Sequence, residues 1–227
     1  MQLDSPPAVD CAGIAHRFGA KWALRGVSMR VSAGEIVALV GRNGSGKTTL
    51  MRVIATALRP TRGAARVFGH DVTADPSAVR ELTALVGHAT GVYTDLTAEE
   101  NLRFAIRMAG EEATAARISE VLERVGLAHE ARARVRELSA GQQRRIGLAR
   151  VLLRPVRLLL LDEPYTSFDD EGQAVVDREL AALRARGGAA IVITHDAERA
   201  RRVTDRSVRL DAGAVVEAHA PRKVANG

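Results

Sequence analysis

The chain has 227 residues, 46% of them hydrophobic and 26% charged, which places it among globular chains long enough for a proper core and excludes intrinsic disorder. Aromatics make up 3%, so the core is aliphatic; the single cysteine, Cys11, excludes a fold stapled by internal disulfides. Net charge is +6, but the excess is arginine, with Lys21, Lys47 and Lys223 the three lysines among 33 basic residues. No basic run is interleaved with aromatics, so nucleic acid is not an expected partner.

The N-terminal stretch MQLDSPPAVD has neither a basic start nor an apolar run, and it is not expected to be a signal peptide. No apolar run reaches the length of a membrane span, and the expectation is a cytoplasmic protein. The first clear element is EIVALV (35–40), a buried strand. It runs into GRNGSGKTT (41–49) and then into a helix on which Leu50, Val53, Ile54, Ala57 and Leu58 recur at helical spacing. Strand, glycine turn and helix are the setting that a phosphate loop requires. Gly41, Gly44, Gly46, Lys47 and Thr48 satisfy the spacing G-x-x-x-x-G-K-[ST], and Arg42, Asn43, Ser45 and Thr49 complete the loop. Glycines let backbone N–H groups turn inward onto phosphates, and the helix adds the positive end of its dipole. Lys47 suits the β- and γ-phosphates of a nucleotide such as ATP, and Thr48 suits Mg2+.

Residues 88–155 read as mostly helical. Thr97 and Glu100 form a capping box before Leu102, Ala105, Ile106 and Ala109. Ile118, Val121, Leu122 and Val125 mark a second helix that Gly126 ends. A third opens at Ser139, again with a capping box to Gln142, and stops before Pro155. Strands return at VRLLLLD (156–162) and AAIVIT (189–194), continuous apolar runs expected to be covered on both faces. A helix lies between them, and a hairpin around Ala212-Gly213 follows. Asp162 and Glu163 stand where the apolar strand stops; Asp162 suits a Mg2+ role and Glu163 a general base that polarises the attacking water.

LSAGQQRR (138–145) resembles the signature sequence of ATP-binding-cassette (ABC) ATPases. A serine hydroxyl, a glycine N–H and a helix dipole converge there without a lysine. ITHD places His195 at the family's switch histidine, TSFDD places Asp169 in the D-loop, and Phe18 falls where the family stacks an aromatic on adenine. The resemblance runs from about residue 8 to 218. It implies an α/β fold, the P-loop NTPase ABC ATPase fold, with a parallel sheet core, an antiparallel β edge and an inserted helical subdomain. The core would be 1–87 and 156–227 and the insert 88–155.

The resemblance further implies ATP and Mg2+ as ligands and a head-to-tail dimer, a homodimer or one with another ABC subunit. Each nucleotide would lie between one subunit's phosphate loop and Ser139, Gly141 and Gln142 of the other. The chain would work at the cytoplasmic face of the membrane with separate integral membrane permease subunits. Where the family carries a glutamine, this sequence has His88, which lacks an amide's hydrogen-bonding geometry. His88, LTAEENL and the Ala140 variant of the signature resemble the ATPase subunit of the cytochrome c maturation haem exporter. Direct haem binding is not expected, since there is no C-x-x-C-H. An ATPase of a drug or lipid exporter stays open, as does a soluble ABC protein of DNA repair or translation. Against the last two stand the absence of sustained heptads and the presence of one cassette rather than two.

Overall fold

The computed structural model describes residues 6–87, 91–195 and 197–219. The chain divides into two compact units. The first comprises Met1–Leu85, Val156–Asp162 and Leu180–Gly227; the second comprises Val86–Pro155 and Glu163–Glu179.

The first unit holds two sheets. An antiparallel sheet is ordered β2-β1-β4-β5, built from β1 (Val9–Phe18), β2 (Lys21–Val31), β4 (Arg62–Val67) and β5 (His70–Asp71). Its strands alternate a buried face, carrying Val9, Cys11 and Ile14, with an outer face that carries Asp10, Arg30 and Arg66. Register shifts near Gly13 and Gly26 interrupt that alternation. The other sheet is ordered β10-β9-β3-β8-β7-β6. Here β3 (Ile36–Val40), β7 (Leu158–Asp162) and β8 (Ala189–Ile193) run parallel, with β8 in the middle. The five-residue strands β7 and β8 are buried along their whole length, and apart from Asp162 at the end of β7 their side chains are aliphatic on both faces. β9 (Arg206–Asp211) pairs parallel with β3 and antiparallel with β10 (Ala214–His219), and β6 (Thr83–Val86) takes the far edge. Leu50, Met51, Val53 and Ile54 of α1 (Lys47–Ile54) join the core formed by both sheets. α2 (Pro76–Leu82) starts on an Asp75 cap with proline in its first turn, where a missing N–H costs nothing. α8 (Ala197–Val203) precedes β9.

The second unit is helical: α3 (Ala98–Met108), α4 (Ala115–Arg124), α5 (Ala140–Leu152) and the short α6 (Pro164–Ser167), with the start of α7 (Asp170–Ala185). Leu102, Ile106, Ile118, Val121, Leu122, Ile146 and Ala149 form its apolar interior. Both capping boxes expected from the sequence are present. Thr97 Oγ1 accepts from Glu100 N–H while the Glu100 carboxylate accepts from Thr97 N–H at 2.8 Å, and hydrogen bonding from Thr97, its backbone N–H first, holds that carboxyl below its ordinary pKa. Arg124 grips both oxygens of the nearly buried Glu179, at 2.7 and 3.2 Å, and so ties α4 to α7.

Candidate active site

At two points in the loop between β3 and α1 only glycine fits. A Cβ on Gly41 would stand 2.1 Å from the Leu210 carbonyl oxygen, and one on Gly46, at φ 105°, would stand 2.6 Å from that of Ala23. α1 opens on Gly46 without a side-chain cap, so its first N–H groups face the loop rather than a serine or aspartate. Lys47 is buried and its ammonium donates to the carbonyls of Gly41 (2.7 Å) and Arg42 (3.0 Å). Ser45 Oγ is buried with no hydrogen-bond partner among the described residues. Arg42, Asn43 and Gly44 stand exposed at the crest, and Thr49 is half-buried behind them. A turn with uncapped amides, an ammonium inside it and an orphaned hydroxyl fits a polyphosphate.

Thr48 Oγ1 donates to Asp162 Oδ2 at 2.8 Å, joining the start of α1 to the end of β7. A hydroxyl beside a carboxylate is the hard oxygen pair that Mg2+ takes from a protein when phosphates and water complete its shell. Among the described residues no three His, Cys, Asp or Glu side chains cluster as a protein-only metal cage would need.

Glu163 follows Asp162 with φ 54° and ψ 49°, a left-handed conformation that costs a non-glycine residue about 1–2 kcal/mol. Such strain is held where the side chain's direction matters. His195 stands exposed just past β8. Phe18, at the end of β1, is 52% exposed. His88 lies outside the described residues.

In the second unit Ser139 caps α5. Its Oγ accepts from Gln142 N–H at 3.2 Å while Gln142 Oε1 accepts from Ser139 N–H at 2.9 Å, so the Ser139 O–H proton stays available to donate. Gly141 lies against Asp169. Arg145, which sequence reasoning passed over, is 4% exposed. It donates to the Val125 carbonyl at 3.1 Å and pairs with Glu171 at 2.7 Å and Asp169 at 3.4 Å. The first unit thus assembles Gly41–Thr49 with Asp162, and the second assembles Ser139, Gly141 and Gln142 with Asp169.

These features define a nucleotide-hydrolysing cassette, and the chain belongs to the ABC transporter family, whose model matches residues 24–166. It is the ATP-binding, ATP-hydrolysing component of that family, which works with membrane subunits and forms dimers. The cytochrome c biogenesis ATP-binding export protein CcmA of Cupriavidus pinatubonensis is 41% identical over 83% of this chain and 84% of its own length. The daunorubicin resistance ATP-binding protein DrrA3 of Streptomyces coeruleorubidus is 38% identical over 92% of this chain and 67% of its own. Among solved structures, a dimeric ATP-binding cassette in a post-hydrolysis state bound to ADP and Pi matches with a TM-score of 0.82 and 25% identity, covering 94% of this chain and 99% of that one. The P-loop ABC ATPase fold expected from the sequence is therefore the fold of this chain, with its parallel core, antiparallel sheet and helical part.

Proposed function

We propose that the chain powers export through separate integral membrane permease subunits from the cytoplasmic face of the membrane, and that the cargo system is haem export for cytochrome c biogenesis. The observation that carries the cargo reading is the 41% identity to a cytochrome c biogenesis export protein over most of both chains. Drug export is the second reading, favoured by the 38% identity to a daunorubicin resistance protein.

In this reading the loop amides and Lys47 hold the ATP phosphates, and Phe18 stacks on the base. Bound Mg2+, held by Thr48 and Asp162, would neutralise charge on the β- and γ-phosphates. Glu163 orients and deprotonates the attacking water, its backbone strain fixing where the carboxylate points. His195 contacts the γ-phosphate. Ser139, Gly141 and Gln142 act on the nucleotide of the second subunit of a dimer, so hydrolysis removes a bridge between the halves.

The permease would meet the helical unit. Tyr93 and Phe104 stack edge-to-face at 5.0 Å, both exposed, and with Val92 and Leu96 they line a cavity of about 500 Å3. Water-facing aromatics of this kind suit an apolar partner helix. Among the described residues no helix is long and apolar enough to cross a membrane.

The test is capture from native membranes with the Glu163→Gln protein and ATP. Copurified membrane subunits whose loss abolishes c-type cytochromes support haem export. A drug or lipid permease discards the cargo and keeps the ATPase. Ribosomes or DNA without membrane protein overturn the transport reading.

A further inference from the structure

Phe18 stands at the open end of β1 with half of its ring in solvent. On an exposed strand end a phenylalanine has several rotamers to choose from, and a base-stacking ring is useful in one of them. One structured contact on the ring comes from His16, with centroids 4.7 Å apart and planes at 77°, an edge-to-face pair.

The ring contact places His16 and Phe18, two residues apart on β1, on one face of the strand. His16 pairs with Leu24, and the register with β2 shifts between His16 and Arg17. Leu24 is fully buried, and its Cδ2 lies 2.8 Å from where a Cβ on Gly46 would stand. His16 and Phe18 therefore share the sheet face that turns toward the phosphate loop.

His16 is itself fixed. It is 9% exposed, and its Nδ1 lies 2.9 Å from the Arg59 carbonyl oxygen. A carbonyl can only accept, so Nδ1 carries the proton and the imidazole plane is set by the backbone after α1.

We propose that His16 is a positioning residue for nucleotide binding: anchored on the Arg59 carbonyl, it holds the Phe18 ring in the orientation that stacks on the adenine of bound nucleotide. This rests on the reading of Phe18 as the base-stacking residue. The gain is pre-organisation: an affinity that depends on one rotamer falls in proportion to the loss of its population. An edge-to-face pair biases rotamers by about two- to tenfold.

The experiment is calorimetric titration of the purified chain with Mg2+ and either ADP or pyrophosphate, which has no base. His16→Ala should weaken ADP about two- to tenfold and leave pyrophosphate unchanged. In a Phe18→Ala background the same change should do nothing further. His16→Phe, which keeps a ring edge without the Arg59 bond, should recover part of the loss. If His16→Ala does not fold, His16→Gln, which keeps an N–H donor but no ring, replaces it in each comparison. Unchanged ADP affinity, equal weakening of both ligands, or additive effects in the double variant would each overturn the proposal. If Phe18→Ala itself binds ADP normally, the base-stacking assignment falls, and the role of His16 falls with it.

Discussion

Gly141 and Asp169 are packed so closely that a Cβ on the glycine would stand 2.3 Å from Asp169 Oδ2. The carboxylate is not free to retreat. Its Oδ1 accepts from Gly172 N–H at 2.9 Å, and its Oδ2 pairs with Arg145. The start of α5 and the turn at Asp169 are thus one packed object within the second unit.

Gly141→Ala should therefore move the turn at Asp169 rather than merely fill space. The expected cost is about 1–3 kcal/mol of stability, the range for overpacking. ATP turnover should fall at least about tenfold, since misplaced catalytic groups commonly lose more than that. Denaturant melts and steady-state hydrolysis measure the two; a variant with normal turnover would show that Asp169 can shift harmlessly.

Arg145→Met keeps the stem and deletes the guanidinium. Its carboxylate partners are partly exposed, which discounts their share, but the Val125 carbonyl bond is buried. The expected loss is about 2 kcal/mol, that of a charged hydrogen bond. Hydrogen exchange should quicken at the start of α7 and at 125–126. Arg145→Lys should rescue poorly, because a single ammonium cannot span those partners.

Lys47→Ala and Glu163→Gln should separate binding from chemistry. Removing the lysine takes away preorganised charge, and turnover should drop about 100-fold or more. Glu163→Gln should lose about 100- to 10,000-fold in turnover, the share of a general base, while retaining ATP. With ATP it should elute from size exclusion as a dimer; a monomer at saturating ATP would count against two subunits sharing the nucleotide.

Cys11 is 3% exposed, and burial, with Asp10 adding a smaller push, raises its thiol from 9.0 to about 12. The folded state holds this proton more tightly than the unfolded state does. Stability from it is complete below about pH 9 and is lost as pH rises from 9 toward 12. Cys11→Ala should flatten that part of the stability profile. Native protein should resist thiol reagents at pH 8 and react fully in denaturant.

What could be read from the sequence was local. The strand, glycine turn and helix from 35 to 54 could be read because their spacing is local, and the Thr97 and Ser139 caps are set by partners three residues away. Arg145 was not legible. One arginine among several on a helix looks like a solvated face, and its burial comes from Val125, Asp169 and Glu171, which the chain delivers from elsewhere. The first sheet was legible only as an antiparallel edge, because bulges near Gly13 and Gly26 break the alternation by two. The strained backbone of Glu163 leaves no mark in composition at all.

Thr48 and Asp162 are 114 positions apart; Thr48 opens the helix that follows β3, Asp162 ends β7, and β8 lies between those two strands in the sheet. A growing chain that has just released Asp169 from the ribosome already carries Gly41–Thr49 and Asp162, though not His195. It has no Ala189–Ile193 with which to bring β3 and β7 into one sheet. The strand that joins β3 and β7 is thus synthesised after both, and the parallel sheet cannot be completed until it has left the ribosome.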